Sequence, residues 1–186
     1  MESNSQNVCP WWMGYVLLIP IRKWSHHPKK LFENHVVRGM NVLDFGCAMG
    51  YFSLPLAKMT GENGKVYCVD IQEKMLEKLN ERAKRAGVEN IIEPLQVGKT
   101  FDPSKLQNQI DFAMLFAVVH EVDDKEELFK NLYSMLKTGA KVLFAEPKGH
   151  VSDVEFKKSI LLAIDCGFQV SEEKPMKKGL SAFLIK

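Results

Sequence analysis

The chain lacks the features that would place it among metal-binding, secreted or nucleic-acid-binding proteins. Its four cysteines stand far apart and form no C-x-x-C pair, so we expect reduced thiols and neither a metal site nor a disulfide framework. The formal net charge of +2 is too small to indicate a nucleic-acid partner. Internal repeats and low-complexity segments are also missing. These absences favour a globular cytoplasmic protein.

Apolar runs long enough to cross a membrane are missing as well. The run 11–21 is about half the length that a spanning helix needs, and Pro20 interrupts it. Residues 2–7 are polar and carry no Lys or Arg, so we expect no signal peptide. The aromatic rings of the run, followed by Arg22 and Lys23, would suit the headgroup layer of a membrane. We favour instead a lid that packs over the protein's own cleft, and expect no membrane partner.

Strand and helix patterns alternate along most of the chain. With 186 residues, 46% of them hydrophobic, it is long enough for one domain with a substantial core. We predict a helical and aromatic lid segment over 1–38 and a single globular domain over 39–186. Apolar runs predict strands at 41–45, 65–70, 91–97, 110–116 and 141–145, and helical patterns predict helices at 51–59, 72–86, 126–136 and 153–166. Such alternation is typical of an open, mostly parallel α/β sheet.

The C-terminal part breaks this alternation. Residues 168–173 and 180–185 are predicted to be strands with no helix between them, so they should pair antiparallel. A hairpin of this kind would close one side of the parallel sheet.

A glycine turn follows the first predicted strand. Gly46 and Gly50 allow a tight turn between the strand and a helix, which is a cradle for a nucleotide-like ligand. A dinucleotide fingerprint needs G-x-G-x-x-G, and Ala48 stands in place of its second glycine. Asp44, two residues before Gly46, would repel a pyrophosphate and favour a cationic ligand.

The segment VLDFGCAMGYFSLPLA resembles the first motif of class I S-adenosylmethionine-dependent methyltransferases. The turn LKTGAK at 136–141 is similar to the L-K-P-G-G turn of that family. The resemblance covers about residues 40–186. It implies a seven-stranded, mostly parallel Rossmann-like sheet with helices on both faces and an antiparallel last strand. It also implies S-adenosylmethionine as the cofactor and methyl transfer as the activity.

The resemblance and the strand ends together indicate the cofactor residues, because ligands of open α/β sheets lie beyond the carboxyl ends of the strands. Asp44 is expected to face the amino group of the cofactor, and Asp70 its ribose hydroxyls. Either carboxylate could instead be a helix cap or a turn former. The other expected cofactor contacts are Gly46, Cys47, Ala48, Gly50 and Tyr51 in the turn, Ile71 against the adenine, the backbone of Val97 and Gly98, and Phe116.

Catalysis of methyl transfer needs a general base only if the acceptor begins protonated. His120 and Glu121 follow the fourth strand, where a base could reach the acceptor; alternatively His120 packs against the sheet and Glu121 is solvated or caps a helix. Glu146, at the end of the fifth strand, could contact the acceptor or be an ordinary loop residue. Cys47 is interpreted as a small turn residue and not as a nucleophile.

The N-terminal aromatic residues are the candidate substrate contacts. Trp11, Trp12 and Tyr15 would form an apolar cover over the cleft, which favours a small or amphipathic acceptor. A non-catalytic module that binds S-adenosylmethionine or S-adenosylhomocysteine and acts through a partner is the alternative. A nucleotide-dependent oxidoreductase is disfavoured by the glycine spacing.

Overall fold

Apolar runs bounded by turns form the strands of one central sheet. The computed structural model describes residues 28–146, 149, 151–172, 175–176 and 179–186. The strands are β1 Asn41–Phe45, β2 Lys65–Asp70, β3 Ile92–Gln96, β4 Ile110–Phe116, β5 Leu136–Glu146, β6 Gln169–Val170 and β7 Leu180–Ile185. The helices are α1 Pro28–Phe32, α2 Ser53–Thr60, α3 Glu73–Ala86, α4 Lys125–Met135 and α5 Asp153–Asp165.

Within the described residues, the sheet has seven strands in the order β3-β2-β1-β4-β5-β7-β6. Strands β1 to β5 pair in parallel, and β7 pairs antiparallel with both β5 and β6. The predicted mostly parallel sheet with an antiparallel last strand is confirmed. The order places β1 and β4 side by side at the centre, so the segments that follow these two strands lie next to each other.

Successive side chains of a strand lie on opposite faces of the sheet, and both faces are buried here. Val42 belongs to the hydrophobic cluster that includes Leu56 of α2 and Leu79 of α3. Leu43 belongs to the cluster on the other face, which includes Phe129 of α4 and residues of α5. The prediction of helices on both faces is therefore confirmed.

Two strands, β5 and β6, have an end that differs from the sequence prediction by more than two residues. Strand β5 begins at Leu136, five residues early, because Leu136 pairs with Ile110 and the Gly139 N–H donates to the carbonyl of Lys186 at 2.8 Å. These partners are distant in sequence, so a local pattern that favours a turn does not reveal them. Strand β6 is only two residues long at the edge of the sheet.

The described end of the predicted lid segment packs against the sheet domain. Phe32 of α1 is fully buried, and its ring lies 5.8 Å from that of Phe52 and 6.1 Å from that of Phe112. Residues 1–27 lie outside the described part of the chain, so the aromatic lid stays a prediction. None of the helices in the described ranges has the length and apolar composition of a membrane-spanning segment.

Candidate functional site

The glycine turn after β1 is anchored to β2 by backbone hydrogen bonds. The N–H groups of Gly46 and Cys47 both donate to the carbonyl of Val69, at 2.8 and 3.1 Å. The Gly50 N–H donates to the Cys47 carbonyl at 2.9 Å, which closes the turn. The turn is therefore held rigidly at the carboxyl end of the sheet.

Glycine is needed at both ends of this turn. Gly46 and Gly50 have φ values of +78° and +77°, which L side chains rarely adopt. A Cβ at Gly46 would lie 2.6 Å from Cγ2 of Val118, in the segment that follows β4. A Cβ at Gly50 would collide with Leu79 of α3. The two glycines thus let the turn pack directly against the segment after β4 and against α3.

At the centre of the turn, two charged side chains hold the backbone of a strained residue, Ala48, and of its neighbour Met49. Ala48 has a φ of +46°, and its N–H donates to Oδ2 of Asp70 at 2.9 Å. The guanidinium of Arg82, from α3, donates to the carbonyl of Met49. Burial lowers the pKa of Arg82 below its usual range. Strained backbone of this kind persists where the surroundings over-determine it, and it is concentrated at ligand sites.

Asp44 is a buried carboxylate beneath the turn. It is 1% exposed, and it accepts a hydrogen bond from the hydroxyl of Ser53 at 2.5 Å. Burial raises the pKa of Asp44 to about 7; the bond from Ser53 opposes this shift and the charge of Asp70 adds to it. Near neutral pH the group is thus poised between its two protonation states, and a cation beside it would favour the charged form.

Asp70 links the turn to the start of α3. Its carboxylate accepts from the N–H of Ala48 at 2.9 Å and from the N–H of Gln72 at 2.8 Å. Burial raises the pKa of Asp70, and the backbone hydrogen bonds from Gln72, Ala48 and Ile71 oppose this. An ionised carboxylate has about four acceptor positions, so Asp70 has capacity for ligand hydroxyls beyond these bonds.

Two exposed apolar side chains flank Asp70. Ile71 is 42% and Val97 36% exposed, and the Val97 N–H donates to the carbonyl of Asp70 at 3.0 Å. The backbone at Gly98 is open, since a Cβ there would meet no atom of the described residues within 4 Å. Two exposed apolar side chains beside an acid suit a nucleoside: the apolar side chains can contact its flat base, and the acid can accept hydrogen bonds from the hydroxyls of its sugar.

The end of β4 joins the turn through a tilted and an edge-to-face contact between aromatic rings. The Phe116 ring lies 4.8 Å from that of Phe52, and the Phe52 ring lies 4.8 Å from that of Tyr51. Cys47 is buried in the same turn, and burial raises the pKa of its thiol well above the usual range. A protonated thiol agrees with the interpretation of Cys47 as a packing residue.

His120 and Glu146 are separate candidates in the sequence, and the structure brings them together. His120 lies in the short 3-10 helix Val119–Glu121 after β4, and Glu146 ends β5 beside it. Nδ1 of His120 lies 2.8 Å from Oε2 of Glu146, and the His120 backbone N–H donates to Oε1 at 3.1 Å. The hydrogen bond to Glu146 raises the pKa of His120, against the opposing effect of burial.

The remaining candidates contribute less to this geometry. Glu121 is partly buried, and its N–H donates to the carbonyl of Val118 at 3.0 Å. Trp11, Trp12 and Tyr15 lie outside the described residues. Across the ranges that the structure describes, no three His, Cys, Asp or Glu side chains come together as a metal site.

Sequence reasoning missed Ser53 and Arg82. Ser53 stands in the first turn of α2, nine residues after Asp44, where a hydroxyl near a buried acid could have been suspected. No pattern in the sequence points from Arg82 to the glycine turn, because the contact bridges 33 residues.

Comparison with known proteins places the chain among methyltransferases. A family model described as "Methyltransferase domain" matches residues 37–179. The crystal structure of a SAM-dependent methyltransferase from Aquifex aeolicus is 25% identical with a TM-score of 0.83, covering 96% of this chain and 99% of that one. A TehB-like SAM-dependent methyltransferase from Corynebacterium glutamicum shares the fold, with a TM-score of 0.65 at 17% identity and 86% coverage of each chain.

The curated relatives that the chain matches are longer proteins. The ubiquinone/menaquinone biosynthesis C-methyltransferase UbiE of Escherichia fergusonii is 32% identical over 111 residues, which are 60% of this chain and 44% of the relative. The chain thus spans less than half the length of the curated relatives it matches.

Proposed function

Since the chain belongs to the methyltransferase-domain family and S-adenosylmethionine is its cofactor, we propose that it transfers the cofactor's methyl group to a small acceptor by in-line displacement. The group of side chains around the glycine turn is the observation that supports this proposal most directly. It combines a buried acid for a cation with a second acid and an apolar surface for a nucleoside.

Each part of S-adenosylmethionine has a fitting partner in this set. Asp44 would pair with the α-amino group. Burial disfavours the ionised form of Asp44, and an ammonium group beside the carboxylate would offset that cost. Asp70 would accept the ribose hydroxyls. Ile71 and Val97 would hold the adenine between them, with the open backbone of Gly98 alongside.

The turn and the end of β4 would enclose the methionine part. Gly46, Cys47, Ala48, Gly50 and Tyr51 form the turn itself, which packs against Val118. Phe116 reaches the same place through its contact with Phe52.

The bound cofactor supplies a methyl group that is already activated by the neighbouring sulfonium. The protein has to orient an acceptor in line with that methyl group and to exclude water. We propose that Trp11, Trp12 and Tyr15 cover the site for this purpose, and that Glu121 borders the acceptor.

The curated relatives suggest which acceptors to try first. They are named as C-methyltransferases of ubiquinone and menaquinone biosynthesis, so we propose small quinol-like carbon acceptors as the first compounds to test with this chain.

Ligand binding and turnover test the proposal in two stages. A ligand at one hundred times its Kd stabilises a protein by about 2.7 kcal/mol, so S-adenosylhomocysteine should raise the melting temperature by several degrees. Stabilisation by NAD but not by S-adenosylhomocysteine would overturn the proposal. Binding without transfer of a labelled methyl group to any acceptor would favour the non-catalytic module.

A further inference from the structure

We infer that His120 is the general base of the transfer and that Glu146 positions it, so that the acceptor is a compound whose reacting atom begins protonated. This inference rests on the proposed function and adds the acceptor class to it. Phenols, thiols and quinol-like carbon acids belong to that class.

The contact between His120 and Glu146 fixes both the backbone and the ring. One carboxylate oxygen accepts from the His120 N–H at 3.1 Å, and the other lies 2.8 Å from Nδ1. A single carboxylate that holds both the backbone and the ring of one residue leaves the imidazole little freedom. In the neutral ring, a proton on Nδ1 directed at Glu146 puts the basic lone pair on Nε2.

Burial separates the roles of the two side chains. The Glu146 side chain is 2% exposed, whereas the His120 side chain is 24% exposed. The carboxylate is thus enclosed behind the ring, and the ring is the member of the pair that a small molecule can reach. A buried acid behind a partly exposed imidazole is the arrangement in which the acid orients the base and stabilises its protonated form.

The position of the pair within the fold joins it to the cofactor site. Val118, two residues before His120, packs against Gly46 of the turn. Strand β5 pairs with β4 at Phe116 and Ala145, and Glu146 follows Ala145 directly. His120 and Glu146 therefore lie at the carboxyl end of the parallel strands, as Asp44 and the glycine turn do.

The proton and the electron pairs balance in this step. The acceptor X–H gives its proton to Nε2 of His120 while its electron pair forms the X–CH3 bond. The bound cofactor loses the methyl group and keeps the electron pair of the broken S–C bond as S-adenosylhomocysteine. The imidazolium beside Glu146 then returns its proton to solvent.

Other charges around His120 act in both directions. Glu146 from β5 and Glu121 on its own 3-10 helix favour the protonated ring, and Lys125 from α4 opposes it. The base works only as neutral imidazole, so the rate should rise with pH through the pKa of His120. Removal of the Glu146 charge should shift that rise to lower pH.

The test combines kinetics with NMR on the intact chain. Labelled S-adenosylmethionine is supplied with proton-bearing probes (catechol, 2-naphthol and 2-mercaptoethanol) and with proton-free probes (pyridine and dimethyl sulfide). Transfer to at least one proton-bearing probe is expected, and His120→Gln should lower kcat/KM by about 100-fold or more. Asp123→Asn, which removes an exposed carboxylate three residues from His120, is the matched control and should leave the rate unchanged.

Glu146→Gln distinguishes a positioning residue from a structural one. We expect a smaller loss in kcat than for His120→Gln, a pH profile moved to lower pH, and a lower pKa of His120 in the ¹⁵N NMR titration. Glu146→Asp should restore part of the rate, and it provides a second variant if Glu146→Gln does not fold. An unmoved profile and pKa would refute the role of Glu146.

The outcomes separate this inference from the proposed function. Failure to bind S-adenosylhomocysteine would overturn the proposed function itself. With that binding intact, the base is refuted by full activity of His120→Gln, by transfer to proton-free probes alone, or by no transfer to any proton-bearing probe.

Discussion

The protonation of Asp44 offers a quantitative test of the cofactor site. Burial raises its pKa to about 7, against an ordinary value of 3.8. Between about pH 4 and pH 7 the folded protein keeps this proton while the unfolded chain loses it, so the free energy of unfolding falls as pH rises through this range. Each tenfold change in an ionisation constant is worth 1.36 kcal/mol, so the fall amounts to about 4 kcal/mol.

Asp44→Asn removes this titration. Relative to the wild type, the variant should therefore gain about 4 kcal/mol of stability between about pH 4 and pH 8. Urea unfolding of both proteins across this range measures the difference. Parallel stability curves would show that the pKa of Asp44 is not raised in the folded protein.

Cofactor binding should reverse the preference of Asp44 for its proton. An ammonium beside the carboxylate favours the ionised form, so binding of S-adenosylhomocysteine at pH 7 should release about half a proton from Asp44. Calorimetry in two buffers of different ionisation enthalpy measures this release. In Asp44→Asn the release should disappear, and the affinity should fall by about 10- to 100-fold at pH 8, as expected for a lost hydrogen bond between charged groups.

Ser53→Ala tests the same site from the other side of the carboxylate. The hydrogen bond from Ser53 holds the pKa of Asp44 down, so its loss should move the pH dependence of binding to higher pH. Ser134→Ala, which removes a hydroxyl bonded to the Asn131 carbonyl on α4, is the control and should leave the dependence in place. Equal proton release in wild type and Asp44→Asn would refute the pairing of Asp44 with the amino group.

Three further changes test other parts of the site. Asp70→Ala removes the acceptor of two backbone N–H groups and should cost about 2 kcal/mol in urea unfolding and at least tenfold in S-adenosylhomocysteine affinity; full retention of affinity would contradict its placement at the ribose. Ala48→Gly relieves a φ of +46° and should change stability by no more than about 1 kcal/mol, with equal or tighter binding by calorimetry; weaker binding would mean that the methyl group contacts the cofactor favourably. Alanine at Trp11 and Trp12 should raise the KM for the acceptor and leave cofactor affinity in place; an unchanged KM would remove both from the acceptor site.

Local patterns were sufficient for the central strands. β1, β2 and β4 begin and end where the apolar runs predicted, because each run is bounded by turn residues close in sequence. The predicted start of β5 was wrong, since the first residues of this strand bond to Ile110 of β4 and to Lys186, which follows β7. The strand predicted at 168–173 is reduced to the two residues of β6, which pairs with β7 at the edge of the described sheet.

The candidate site shows the same division. Asp44, Asp70 and the glycine turn could be located from the sequence because a strand, a turn and a helix follow one another within a few residues. The protonation of Asp44 could not be predicted in this way, since its pKa depends on burial by neighbours from several elements and on the Ser53 hydroxyl.

By itself, the sequence determined the family, the cofactor and the residues at the strand ends, because these depend on short motifs and on the alternation of strands and helices. Tertiary structure alone decided that His120 is held by Glu146, 26 residues away, and that Arg82 reaches the carbonyl of Met49. Both contacts arise where parallel packing brings distant segments to one edge of the sheet. Spacing along the chain carries no record of such contacts, whereas burial and hydrogen bonding at that edge depend on them entirely.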